Sequence, residues 1–258
     1  MPHLASPTAM PVLRPLPGRP HQAGRLQAEQ QTPYTERHQG SAPLVMYAPI
    51  LMKASRMQHP NIASAYDLLA DRWLDDQFNQ ANGVQQHRRA LAFLPDDARG
   101  WALNAGCGCN TRFNPLMRDC RLQIEGIDIS ERMVALAKAA DPTVTVHLAD
   151  VVTWQTGRTY RFISAWDSLW HVRLDQQGAV LRKLMGALEA GGVFIFSAGG
   201  LDSPAEHVDS AMGPDVYYGS LGIPGLLDVI REAGCICRHL EFDQHPEKHL
   251  CIIVQRAV

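Results

Sequence analysis

The 258-residue sequence has no strong charge of either sign: 24 Lys and Arg against 26 Asp and Glu leave a formal net charge of −2. A field that weak does not hold a polyanion, which argues against nucleic acid as a partner. Long hydrophobic runs are missing too. The longest are pieces such as the VFIF of residues 193–196, whereas a membrane span takes about 20 residues, so no transmembrane helix and no membrane partner is predicted. Prolines crowd the start of the chain where a secretory leader would place its apolar stretch, and no such leader is expected. The 11 histidines lack the spacing of a metal-binding helix, and the cysteines at 107/109 and 235/237 are separated by gaps shorter than zinc sites use. Reduced thiols, no metal and a cytoplasmic location are expected.

What is present divides the chain. Residues 1–45 carry eight of the 17 prolines and no apolar periodicity. They bury too little to offset the entropy of ordering, and read as a disordered tail. Alternatives are a start at Met46, Met52 or Met57, or a proline-rich docking segment. Residues 46–98 read as a helical segment packing on the core. Ile62, Tyr66, Leu69 and Trp73 repeat at helical spacing behind Asn61 as N-cap, and a second helix is predicted over 84–94, stopping before Pro95. From 99 to 258 the texture is α/β. Apolar runs at 101–105, 122–127, 144–148, 162–165 and 193–197 alternate with helical patterns at 115–120, 131–139 and 176–188, the last two capped by Ser130 and Asp175. A helix over 224–233 precedes two further strands, 235–242 and 250–255, joined without a helix. This predicts a doubly wound, mostly parallel seven-stranded sheet with helices on both faces and an antiparallel terminal strand.

The sharpest local feature follows the first strand: Leu103-Asn104-Ala105-Gly106-Cys107-Gly108-Cys109-Asn110. Glycines at 106 and 108 permit a tight turn and close approach of a ligand. Asp128 ends the second strand 22 residues after Gly106, where a carboxylate accepts hydrogen bonds from a ribose diol. A dinucleotide fingerprint would need glycine at 111, and Thr111 stands there, with Pro115 placing the helix start later. The loop therefore suits a nucleoside ligand without phosphates, and a nicotinamide-dependent oxidoreductase is the disfavoured alternative.

Across residues 100–200 the chain resembles the class I S-adenosylmethionine-dependent methyltransferases. Leu103 to Gly108 look like that family's first motif, His147-Leu148-Ala149-Asp150-Val151 like the segment whose acid caps the adenine amino group, and Tyr66-Asp67 like the upstream segment whose tyrosine approaches the cofactor. The resemblance implies S-adenosyl-L-methionine as cofactor, held by Asn104, Gly106, Cys107, Gly108, Asp128, Ile129, Asp150, Val151 and Tyr66. Asn104 stands where the family usually has an acid, and Asn110 where it has a third glycine. Asn110 is expected to adopt the left-handed backbone that the glycine would supply.

The implied activity is in-line methyl transfer, and the balanced charge favours a small-molecule acceptor. A non-catalytic module that binds the cofactor is the alternative from another class. In the loop after the fourth strand, Asp167 and His171 are the ionisable pair and the candidates for a general base, with His171 expected to titrate near 6.5. A structural role for His171 is the competing reading. Tyr66, Trp73 and a lid-like stretch 199–221 with Tyr217 and Tyr218 are expected to roof the pocket; Trp166 and Trp170 read either as core aromatics or as part of its wall. Cys235 and Cys237 share a strand face and are expected in the core. His245, Glu247 and His249 are expected at a solvated turn.

Overall fold

The computed structural model describes residues 59–74 and 79–258. The proline-rich stretch 1–45 and the candidate starts at Met46, Met52 and Met57 lie outside the described residues. Helix α1 (Ile62–Leu69) begins where predicted, with Asn61 Oδ1 accepting the Ser64 N–H at 3.2 Å, and runs into a 3-10 turn at Ala70–Trp73. Helix α2 (Val84–Leu91) ends before the predicted residue 94. The chain tightens there, with Phe93 and Leu94 N–H groups donating to the Ala90 and Leu91 carbonyls, because Pro95 disfavours helical backbone at the residue before it.

Strands β1 (Gly100–Ala105), β2 (Leu122–Asp128), β3 (Thr145–Leu148), β4 (Tyr160–Ala165) and β5 (Leu188–Gly199) are parallel to one another, and β9 (His249–Arg256) is antiparallel to both its neighbours. The sheet order is β3-β2-β1-β4-β5-β9-β8, with β8 spanning Cys235–Phe242. The predicted seven-stranded sheet is thus present, and its apolar runs do not alternate with polar residues because both faces are covered. Leu103, Ile163, Phe194, Phe196, Ile252 and Val254 share one core with Val180, Leu181 and Leu184 of α5 (Leu174–Gly186) and Leu226 and Ile230 of α6 (Gly222–Glu232). Ala102, Phe162, Val193, Ile195, Cys251 and Ile253 share the other with Ala90 and Leu91 of α2 and Met117 of α3 (Asn114–Asp119). Helix α4 (Glu131–Ala140) starts at Ser130, whose Oγ accepts the Met133 N–H at 3.0 Å.

Several local expectations are corrected. Asp175 does not cap α5. It lies inside the first turn, paired with Arg173, and the Leu174 N–H donates instead to the Tyr217 hydroxyl at 2.8 Å. The helix expected to run to residue 188 ends at Gly186, and β5 begins at Leu188, taking an irregular register opposite Tyr160 and Phe162. The stretch expected to form a lid contains a regular hairpin, β6 (Ala205–Asp209) with β7 (Val216–Ser220); every residue of β6 is exposed, so no burial pattern announces it. Cys235 is buried, but Cys237 is exposed, since β8 is the sheet's outer strand and its middle residues are uncovered.

His87 of α2 is a core residue that periodicity alone does not reveal. Fully buried, it stacks on Phe113 with ring centroids 3.5 Å apart, donates from Nδ1 to the Gly83 carbonyl at 2.7 Å, and accepts at Nε2 from Ser164 at 2.7 Å. His87→Ala leaves a void and strips the Ser164 hydroxyl of its partner. It should destabilise the fold by about 2–4 kcal/mol, read as a melting-temperature drop on the order of 10 °C.

Candidate active site

The carboxyl ends of β1, β2 and β4 open into a cavity of about 320 Å³. Its floor is the turn after β1. The Gly106 and Cys107 N–H groups both donate to the Ile127 carbonyl, at 2.8 and 3.0 Å, which ties this turn to the end of β2. Gly106 (φ +69) has no room for a side chain: a Cβ there would lie 2.3 Å from that of Ser168. Gly108 (φ +57) faces open space, with no atom within 4 Å of the position a Cβ would take. Its N–H donates to Asp128 Oδ2 at 2.8 Å, while Oδ1 accepts the Ser130 N–H at 3.0 Å. Each carboxylate oxygen keeps a further lone pair for a ligand. Burial pushes the Asp128 pKa up, opposed by the N–H donors of Ser130, Gly108 and Ile129.

Asn104, Cys107, Ile129, Asp150 and Val151 line the same cavity, so every residue expected to hold a cofactor is brought to one place. Cys107 packs its sulfur against Gly126, and burial pushes its thiol pKa well up, so it stays a neutral packing group. Asn110 departs from expectation. Positive φ falls on Gly106 and Gly108, not on Asn110, whose Oδ1 instead accepts the Arg112 N–H at 3.0 Å in a side-chain turn.

The far end of the cavity is formed by Tyr66, Trp73, Arg112, Trp166, Asp167 and His171. His171 does not match a base titrating near 6.5. Its Nδ1 donates to the Tyr217 carbonyl at 2.8 Å, and its Nε2 accepts from the Tyr66 hydroxyl at 2.6 Å and the Trp170 indole N–H at 3.0 Å. Burial pulls its pKa down to about 4 against the raising effect of the Tyr217 carbonyl, so the ring is neutral at physiological pH. Trp170 does not line this cavity; it faces the core behind it, beside Leu226.

Asp167 sits in the left-handed region (φ +52), a conformation that costs a non-glycine residue energy and persists only when its surroundings enforce it. Here the Asp167 N–H donates to Ser197 Oγ at 2.7 Å, and Asn82 Nδ2 donates to Asp167 Oδ2 at 3.0 Å. The main restraint is His249, and here the solvated-turn reading fails. The side chain is 9% exposed, with Nε2 2.8 Å from Asp167 Oδ1 and Nδ1 2.5 Å from Asp243 Oδ1. His245 and Glu247 are exposed as expected. The rings of Trp166 and Trp170 lie 5.3 and 5.5 Å from that of His249. With a carboxylate at each ring nitrogen, both nitrogens act as donors and the imidazole carries a charge. Burial works against that charge, and Asp167 and Asp243 outweigh it, pushing the pKa up to about 9.

Residues 102–192 match the family described as "Methyltransferase domain". No curated protein matches the chain. Among solved structures, it is similar to an S-adenosylmethionine-dependent methyltransferase from Mesorhizobium loti (20% identity, 67% of this chain and 97% of that one, TM-score 0.54). It is also similar to an amino pentose methyltransferase from Micromonospora echinaspora with S-adenosylmethionine bound (15% identity, 74% and 97%, TM-score 0.57). A third is the 1,6-didemethyltoxoflavin-N1-methyltransferase of Burkholderia thailandensis, solved with bound 1,6-didemethyltoxoflavin and S-adenosylhomocysteine (17% identity, 76% and 87%, TM-score 0.59). At these identities the likeness is one of fold.

His87, His171 and His249 give stability a pH dependence with opposite signs. His249, raised to about 9, contributes fully below its unfolded pKa of about 6.5, and that contribution is lost as pH rises through about 9. His87 and His171, lowered to about 3 and about 4, contribute fully above about 6.5, and theirs is lost as pH falls toward those values. His249→Asn should therefore lower the melting temperature by several degrees near pH 6 and by much less near pH 10. Thermal melts of both proteins across that range check the sign.

Proposed function

We propose that this chain, a class I methyltransferase in fold, transfers a methyl group from S-adenosylmethionine to a small-molecule acceptor. The observation carrying this reading is the turn at Gly108. Its backbone borders open space in the cavity, its N–H is bonded to the Asp128 carboxylate, and Asp150 and Tyr66 line the same volume. The residues fit the cofactor. Asp128 retains lone pairs for the ribose hydroxyls, Ile129 and Val151 offer apolar contacts, and Asp150 meets the purine amino group. Asn104 offers the methionyl end a neutral amide in place of the acid usual in the family.

S-adenosylmethionine supplies a methyl group already activated on a sulfonium, so the chain's task is to place the acceptor in line and keep water out. Tyr66, Trp73 and Trp166 wall the acceptor end. His171, neutral and accepting from the Tyr66 hydroxyl, fixes the direction of that hydrogen and leaves the phenolic oxygen to accept from the acceptor. Asp167, held by His249, is the carboxylate placed to take the acceptor's proton. The cavity is in the size range of small-molecule sites, and the Burkholderia thailandensis protein with this fold is named for a small-molecule substrate.

Asp128→Ala removes a charged acceptor and should weaken S-adenosylmethionine binding by about 30- to 1,000-fold, or about 2–4 kcal/mol. Calorimetry showing unchanged affinity would overturn the ribose assignment. Incubating metabolite extracts with methyl-labelled S-adenosylmethionine should yield a labelled small molecule with the parent protein and none with Asp128→Ala. With the acceptor so found, His171→Ala should slow turnover by about 10- to 100-fold through loss of Tyr66 placement. The parent rate should show no inflection near 6.5 from this ring, because it stays neutral down to about 4. A step at 6.5 that vanished in the variant would instead make His171 the base.

A further inference from the structure

Lys183 lies on α5, outside the cavity lining, yet its ammonium reaches the turn after β3. It donates to the Val151 carbonyl and, at 3.0 Å each, to those of Val152 and Trp154. An ammonium has three hydrogens, and each is used on one carbonyl. The N–H groups of the same turn point the other way, to Asp150. Val152 N donates to Asp150 Oδ1 at 2.8 Å, and the Thr153 and Trp154 N–H groups donate to the Asp150 carbonyl at 3.1 and 2.8 Å. The turn is thus gripped from both sides. Val152 joins the two grips, its carbonyl on Lys183 and its N–H on the Asp150 carboxylate.

We propose that Lys183 is a positioning residue for cofactor recognition: through Val152 it fixes the Asp150 carboxylate that reads the purine 6-amino group. The inference rests on the cofactor reading above and deepens it. Without the ammonium, three carbonyls on one side of a five-residue turn lose their donor together. The turn then rotates to satisfy them from water, and Val152 carries the carboxylate with it. Purine selectivity is therefore set partly by a residue that never touches the ligand.

The test is calorimetry with two probes, S-adenosylhomocysteine and its counterpart bearing a 6-oxo purine. The amino group donates to Asp150 and the oxo group cannot. The parent should therefore prefer the amino compound by about 10²-fold. Lys183→Met should bind S-adenosylhomocysteine about 10-fold more weakly and reduce the preference to about 10-fold. Lys183→Arg, which keeps charge and donors, should restore most of the preference. Lys183→Gln should fall between the two, and it serves in place of methionine if that variant does not fold. A general loosening of the fold weakens both probes alike and leaves their ratio unchanged. An unchanged ratio in Lys183→Met or Lys183→Gln, or a parent that binds both probes equally, defeats the proposal while leaving the cofactor reading intact. A parent that binds neither probe defeats the cofactor reading itself.

Discussion

Two N–H groups, those of Gly106 and Cys107, converge on the carbonyl of Ile127. That carbonyl terminates β2, so the shared acceptor forces the turn after β1 to fold over the end of the neighbouring strand. Asp128 is the next residue, and its carboxylate arrives within hydrogen-bonding distance of the Gly108 N–H as a consequence. Glycine is required at 106 because Ser168 of the next strand's loop occupies the space behind it. Ser168 in turn donates to the Ala105 carbonyl at 3.0 Å, so three strand ends are cross-tied within a few residues. The cavity is the volume those ties enclose.

The two ends of the cavity are built on different electrostatics. At the end formed by Asp128 and Asp150, carboxylates are met by backbone N–H groups, which orient them without neutralising them. At the end formed by Tyr66, Trp73 and Asp167, one carboxylate is met by the His249 imidazolium, whose other nitrogen is anchored on a second carboxylate. Such a triplet carries one net negative charge, a smaller desolvation burden than two bare carboxylates would impose. The neutral pair of Tyr66 and His171 stands nearby and adds direction without charge. Arg112 lines the same end, so the carboxylates there are met by cations as well as by N–H donors.

Much of this was legible in the sequence, and the rest was hidden for physical reasons. The sheet was readable because apolar runs such as Phe162 to Ala165 feed two separate cores from alternate residues, a pattern only a doubly covered sheet needs. Asp128 was readable because a strand end and a glycine turn hold it at a fixed spacing. The cap of α5 was not, because the Leu174 N–H finds its partner in the Tyr217 hydroxyl on a distant strand rather than in a neighbouring side chain. Asn110 was misjudged because its amide makes a local turn where glycine would have used backbone freedom. His87, Lys183 and His249 escaped because each acts on a partner more than 25 residues away in the chain, and no periodicity encodes that. The sequence did place Asp167 and His171 in the loop after the fourth strand, but not the neighbours that bond to them.

Strand β9 lies between β5 and β8 although β8 precedes it in the chain. Until β9 inserts, β8 has no partner in the sheet and β5 exposes a bare edge. The order of strands at this edge of the sheet therefore differs from their order in the chain. Because β9 begins at His249, opposite Gly199 of β5, the insertion that closes the sheet also delivers the imidazolium to Asp167. The strand that completes the sheet therefore also carries the group that restrains Asp167.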